Sequence, residues 1–383
     1  MRRRTAALLL ICLFGVFGPI SVYGLSIEYA EGFSVEERDG YTLLHVHPPG
    51  EAGVQHTTYV LVSRGHSQSP SDTEIARQVA PDSSYQIVKI PVKKLIPLST
   101  TFLPPLEWLD AEESLVAVDR REHIYSPALR ELVKQKRLPQ VGNGPSLNME
   151  IVVQLQPAVV MANVSQGAWN MVPKLRRASV PVILNSDYLE TTPLGRAEWI
   201  KFIGLLLGRV EEAEHRFEAV ADRYLELQQL VENSLKRQEE RPHVILNRPM
   251  NGRWVVPGGN GYMARIIEDA GGSYLWAEDE QSSSLVLDVE EVFVRALQAD
   301  IWLHQYGRDS LQELLGVDKR LRRIKAVKNG NVVNNDARMS PTGSNDFFES
   351  GPYQPQVILS DLISLFHPAL LPDHSLYYYR YLE

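Results

Sequence analysis

The sequence predicts an α/β protein: two lobes with parallel sheets, joined by one long helix and preceded by a short β-rich segment. Three observations carry this. Short apolar runs alternate with helical stretches on both sides of the chain's midpoint, the pattern of buried parallel strands with covering helices. Between them, Trp199, Ile203, Leu206, Val210, Ala213, Phe217, Val220, Tyr224, Leu227 and Val231 recur at alternating spacings of four and three, one apolar stripe on a helix of about 50 Å. Finally, two short runs echo each other across the chain. Leu155-Gln156-Pro157-Ala158-Val159-Val160-Met161 is mirrored by Leu297-Gln298-Ala299-Asp300-Ile301-Trp302-Leu303, and Ile183–Asp187 by Val332–Asp336, in the same order. The expected segments are 1–24, 25–92, 93–192, 193–237 and 238–383.

The first 24 residues read as an address. Arg2, Arg3 and Arg4 precede an uncharged apolar run from Ala6 to Phe17, and Val22-Tyr23-Gly24 supplies small-residue character for cleavage. That order is a secretory signal, too short in its apolar part to span a bilayer. Cys12 follows Ile11 rather than a small residue, so the expectation is an exported, soluble protein with a cleaved signal and no lipobox. Losing the three arginines, with no acid to offset them, takes the formal net charge from −8 to −11 and removes the only cysteine. Disulfide, thiolate-zinc and cysteine-bound iron–sulfur chemistry are thereby excluded from the mature chain. The acidic balance argues against a nucleic-acid partner.

Residues 25–92 begin with strands at Tyr41–Val46 and Thr58–Val62. His45 and His47 alternate on one strand and share a face, and His56 and His66 fall nearby. With no Asp, Cys or Glu fixed beside them by spacing, these read as surface histidines rather than a metal site. In 93–192, strands are expected at Leu95–Leu98, Leu115–Val118, Ala158–Met161 and Val182–Leu184, with helices at Pro127–Lys136 and Asn148–Leu155. In 238–383 the expected order is strand His243–Leu246, strand Trp254–Val256, helix Tyr262–Ala270, helix Asp288–Ala299 and strand Ile301–His304. Phe202, Leu205, Leu207 and Ala221 widen the central stripe beyond a coiled-coil seam, so the long helix packs along both lobes and the protein is expected to be a monomer.

Gly259-Asn260-Gly261-Tyr262-Met263-Ala264 matches a dinucleotide fingerprint, with Asp279 and Glu280 about 20 residues on. The competing reading is a glycine turn that caps a helix. Ligands of open α/β sheets bind beyond the carboxyl ends of the strands. That rule nominates Ser99, Thr100, Thr101, Asp119, Arg120, Tyr125, Asn185 and Asp187 in the first lobe. In the second it nominates Arg248, Arg253, Trp254, Asn260, His304 and Asn334. Arginines suit anionic groups through bidentate bonds and Trp254 offers a stacking face.

A family likeness rests on Lys94-Leu95-Ile96-Pro97-Leu98-Ser99-Thr100-Thr101, Leu115-Val116-Ala117-Val118-Asp119, Asn148-Met149-Glu150 and Leu155–Val160. It continues in Pro257-Gly258-Gly259, Ala270-Gly271-Gly272, Ala299-Asp300-Ile301-Trp302 and Val357–Leu362. Over roughly 90–383 the chain resembles the periplasmic substrate-binding proteins of ABC importers for ferric siderophores, haem and cobalamin. The resemblance implies two Rossmann-like lobes bridged by a rigid helix, a metal chelate held in the cleft, no cofactor of the protein's own, no catalysis, and delivery to an inner-membrane permease. It also implies a surface glutamate on each lobe for permease docking. Those slots fall near Pro104 and at Asn260, which makes Glu107 and Glu268 the nearest acids. Two other classes stay open: an exported α/β enzyme using the Gly259–Gly261 turn, and a sensor or docking module on the same fold.

Overall fold

The computed structural model describes residues 24–49, 56–64, 85–142, 146–164, 166–236, 240–305 and 307–383. The proposed signal, apart from Gly24, and His66 lie outside them. Among the described residues, fifteen strands form four sheets.

The N-terminal sheet is β1 (Phe33–Arg38), β2 (Tyr41–Val46), β3 (Thr57–Ser63) and β4 (Tyr85–Ile90), in that order, with only the β3–β4 pair parallel. The first lobe's sheet is β5 (Leu95–Pro97), β6 (Val159–Asn163) and β7 (Val182–Asn185), all parallel. The expected strand at Leu115–Val118 is reduced to single bridges, Leu115 to Leu95 and Val118 to Gln140. Helices α1 (Leu103–Trp108), α2 (Pro127–Lys134), α3 (Met149–Leu155) and α4 (Gln166–Arg177) accompany it. Ser126 and Asn148 start α2 and α3 by accepting the backbone N–H three residues on.

Two helices follow, α5 (Pro193–Leu207) and α6 (Val210–Leu235). The single long helix of the sequence reading is therefore corrected. Gly208 takes φ +68°, and the Arg209 N–H closes back onto the Gly204 carbonyl at 2.8 Å. That is a glycine-terminated helix end, which no residue with a Cβ adopts without strain. The apolar stripe runs through the break because residue counting does not register the sign of φ. Helix α5 is buried almost all round, and α6 buries Ala213, Phe217, Ala221, Tyr224, Leu227 and Val231 along one side.

The second lobe holds β8 (His243–Leu246), β9 (Pro249–Met250), β10 (Arg253–Pro257), β11 (Ser273–Tyr274), β12 (Ser284–Asp288), β13 (Ile301–Leu303), β14 (Val332–Asn334) and β15 (Arg380–Tyr381). Its main sheet has the order β11-β8-β13-β14-β15, parallel except at the β15 edge. Helices α7 (Tyr262–Asp269), α8 (Val289–Ala296), α9 (Leu311–Val317), α10 (Lys325–Lys328), α11 (Asp346–Glu349) and α12 (Pro355–Phe366) complete it. The two echoes now have a structural meaning. One matches β6 to β13 and the other β7 to β14; β6 and β7 are adjacent and parallel in their sheet, as β13 and β14 are in theirs, so β5-β6-β7 is repeated as β8-β13-β14.

Candidate functional site

In each parallel sheet the chain turns into a loop at the carboxyl end of the strands, and these ends carry the recesses of the inter-lobe cleft. The first recess, about 130 Å³, is bounded by Ser99, Thr100, Asp119, Arg120 and His123 after β5 and the Val118 bridge. A second, about 340 Å³, combines Arg196 of α5 with Asn247, Tyr262, Met263, His304, Asn335, Phe347 and Phe348. The third, about 480 Å³, spans the lobes: Thr100, Glu122 and His123 face Asn334, Asn335, Asp336, Ser344, Asn345 and Phe348. Thr100 and His123 are common to the first and third recesses, and Asn335 and Phe348 to the second and third. The three recesses therefore adjoin through shared walls.

Of the residues expected in the cleft, Ser99, Thr100, Asp119, Arg120, His304 and Asn334 line it. Asp119 and Arg120 pair with each other at 3.4 Å. His304, at φ +63°, places Nε2 2.8 Å from the Tyr379 hydroxyl and stacks on that ring. Burial pushes its imidazole down to about 3, so it is neutral at physiological pH. Thr101 bonds the Ser99 hydroxyl at 2.9 Å beside the first recess. Asn185 and Asp187 are buried at the end of β7, Asn185 Oδ1 accepting the Asp187 N–H at 2.8 Å. Tyr125 lies at the lobe contact, its N–H donated to Glu349 at 2.7 Å and its ring under Arg338.

The remaining nominations are corrected. Trp254 is completely buried, its ring 5.6 Å from Trp302 and its Nε1–H donated to the Leu246 carbonyl. It offers no face to a ligand. Strand β10 belongs to an antiparallel three-stranded sheet with β9 and β12, where side chains alternate between core and solvent. Trp254 takes the core side and Arg253 the exposed side. Asn260 is exposed on the glycine turn, and neither it nor Arg248 lines any of the three recesses. Consequently Trp254→Ala should cost about 3–5 kcal/mol of fold stability in urea denaturation, while Arg253→Ala stays within about 0.5 kcal/mol.

The glycine turn itself is closed. A Cβ on Gly258 would sit 2.1 Å from the Gln281 carbonyl, and one on Gly259 2.3 Å from that of Trp276. The Gly258 and Asn260 N–H groups donate to Ser283 and Gln281. Its glycines admit a neighbouring loop, so no N–H array is left for a pyrophosphate, and the dinucleotide reading fails. The two acids expected to dock a permease differ from each other. Glu107 is partly buried and accepts the Ser126 hydroxyl, whereas Glu268 is exposed and paired with Arg265 at 3.2 Å.

Residues 104–339 match the family model for periplasmic binding proteins. The chain belongs to that family. Two uncharacterized lipoproteins of Methanocaldococcus jannaschii are 21% identical over 305 residues (77% of this chain, 70% of the relative) and 26% identical over 321 residues (78% and 76%). The fold is also that of a periplasmic haem-binding protein from Pseudomonas aeruginosa, with TM-score 0.56 and 21% identity over 73% of this chain and 94% of that one. A vitamin B12-binding protein from Vibrio cholerae gives 0.51 and 15% over 73% and 99%. One expectation is overturned by these relatives. The reading of a free periplasmic protein without lipid attachment conflicts with two family relatives named as lipoproteins.

Sequence reasoning missed Arg196, Tyr262, Asn335 and the Phe347–Phe348 pair, all of which line the cleft. Tyr262 opens a helix straight after the glycine turn, a position the strand-end rule could have nominated. Arg196 comes from the connecting helix, where no strand end points to it.

Proposed function

We propose that this periplasmic binding protein captures a metal chelate of the ferric-siderophore, haem or corrinoid kind in its inter-lobe cleft and hands it to the permease of an ABC importer. The observation that carries the reading is the set of adjoining recesses at the carboxyl ends of two sheets that share a three-strand repeat, one recess being lined from both lobes. Its lining mixes aromatic rings with amides and hydroxyls, which suits a large, partly flat ligand. Among the described residues no three His, Cys, Asp or Glu side chains are grouped to hold an ion, so a metal here fits best inside its own chelator. Glu268 is the docking acid that solvent reaches, and the proposed ligand contacts are Thr100, Asp119, Arg120, His304 and Asn334 with the newly found Arg196 and Tyr262. The names of the lipoprotein relatives support a membrane-attached protein, for which Cys12, the only cysteine, is the one available thiol.

Native mass spectrometry of protein purified from its own source is the deciding experiment. A co-purifying small molecule, and a raised melting temperature with one of haemin, cyanocobalamin or a ferric trihydroxamate, is the expected result. A bare protein mass with no thermal response to any of the three would sink the reading.

A further inference from the structure

Lys319, Arg320, Arg322, Arg323, Lys325 and Lys328 place six cations and no acid within ten residues of a chain whose formal net charge is −8. A short 3-10 helix over Lys319–Arg323 leads into α10. At three residues per turn Leu321 and Ile324 share one side, and both are fully buried, as is Ala326. The six cations are left outside, and all are exposed. Two of them have acids. Arg320 pairs with Asp318 at 2.7 Å and Glu290 at 2.8 Å, and Lys325 with Asp300 at 2.6 Å. Arg323 lies over the Phe293 ring at 5.9 Å. Among the described residues no acid pairs with Lys319, Arg322, Arg323 or Lys328.

This patch lies on the amino-end side of the second lobe's main sheet. The Asp300 carboxylate that holds Lys325 also accepts the His243 N–H at 2.8 Å, where β8 begins. Asn331, three residues past Lys328, accepts the Trp302 N–H near the start of β13. The cleft recesses open at the other end of the same strands, at His304, Asn334 and Asn335.

A protein interface is anchored by apolar and aromatic side chains near its centre. Here the apolar side chains between the cations point inward, and the exposed Val317 stands outside the run, before Asp318. A bilayer with anionic headgroups requires only a dense field of cations, each Lys or Arg near the surface strengthening the contact about fivefold. The acidic excess on the rest of the chain would otherwise hold the protein off such a surface. We propose that the Lys319–Lys328 face rests on anionic lipid headgroups, with the cleft turned away from the bilayer for loading. The binding-protein reading contributes only the protein's place beside a membrane.

The test uses the full chain with vesicles of phosphatidylcholine, alone or mixed with phosphatidylglycerol. Lysines are acylated with a water-soluble reagent and read one by one by mass spectrometry, which works whether or not a lipid tethers the chain. On the anionic vesicles at low salt, Lys319 and Lys328 should label severalfold more slowly than on the neutral ones. Lys134 and Lys136, exposed in the first lobe, should label alike on both. High salt should abolish the difference, since screening shortens the reach of the headgroup charge. Arg322→Gln combined with Arg323→Gln keeps both reporter lysines and removes two cations. It should weaken the contact about twenty-five-fold and restore their labelling, while melting close to the wild type. Equal labelling on the two vesicles, protection that survives high salt, or protection kept by the double variant overturns the proposal. So does protection by soluble polyglutamate with none on vesicles, which would make the partner an acidic protein. The co-purification experiment is independent of all these outcomes, so the binding-protein reading stands or falls separately.

Discussion

Glu198→Ala is expected to detach the N-terminal segment and cost about 3–5 kcal/mol, the penalty of breaking a buried ion pair from one side. Glu198 lies in α5 with no exposed surface and accepts the backbone N–H groups of Glu28, Tyr29 and Ala30, the last two at 2.7 and 2.8 Å. Lys201, one turn on, donates to Glu198 at 2.8 Å and to the Ser26 carbonyl at 2.8 Å. The neighbouring Glu190 takes the Glu31 and Gly32 N–H groups and the Trp199 indole. Two carboxylates of the α5 region thus collect five consecutive backbone donors from an irregular strap that no sheet could have paired. Alanine at 198 leaves three donors unpaired and the Lys201 ammonium buried without its counter-ion. Urea denaturation should show the loss, and limited proteolysis should show earlier cutting within 25–49. Ligand affinity should survive, because none of the three cleft recesses has a lining residue from 25–92. A variant with wild-type stability and proteolysis would show that the strap is held by other contacts.

How this anchoring, and the rest, could be read from sequence depends on the range of the interaction. The parallel strands were legible because burial on both faces leaves a short apolar run wherever one occurs, and the echoes at β6/β13 and β7/β14 mark the repeat in the sequence itself. The α6 side of the stripe was legible for the same local reason. Gly208 was not, since a helix end and a continuous helix share one spacing when the break falls between two apolar positions. Trp254 was misplaced because three residues of strand cannot distinguish an alternating antiparallel strand from a buried parallel one. Glu198 and Glu190 looked like ordinary helix-region acids. What makes them anchors is the backbone of residues 28–32, about 160 positions away, and spacing carries no such information. The second recess is hidden in the same way: Arg196, Tyr262 and Phe347 come from three separate segments.

Between pH 7 and 4.5 Glu349 should add stability as acid is added, against the opposing loss from His304, whose imidazole burial holds neutral, and Glu349→Gln should remove the Glu349 contribution. Glu349, in α11 of the second lobe and 3% exposed, accepts the Tyr125 and Ser126 N–H groups at the start of α2 in the first lobe, at 2.7 and 3.0 Å. Ser344 adds a second tie, donating to the Glu122 carbonyl at 2.6 Å. Burial pushes the Glu349 carboxyl up to about 7, with Asp346 on its own helix and Glu107 on α1 adding repulsion, while the two N–H bonds pull the other way. Arg338 faces the same cluster but is bonded to Asp346 at 2.6 Å. A carboxyl with an ordinary value in the unfolded chain and a raised one in the fold binds its proton more tightly when folded. Stability therefore rises as pH falls through the window between the two values, on the order of 3 kcal/mol at the limit. Separated lobes would return Glu349 to water, so the same linkage makes acid favour the closed cleft. Glutamine keeps one acceptor and no charge. It should raise stability at pH 8 and flatten the slope, whereas Glu349→Ala strands both N–H groups and should destabilise at every pH. Glu107, Asp119 and Glu190 are also raised by burial, so the diagnostic quantity is the difference between wild-type and Glu349→Gln urea midpoints from pH 4.5 to 8. Parallel curves would mean that Glu349 does not titrate across the clasp, and the closing role would pass to Ser344 and the Arg338–Tyr125 contact alone.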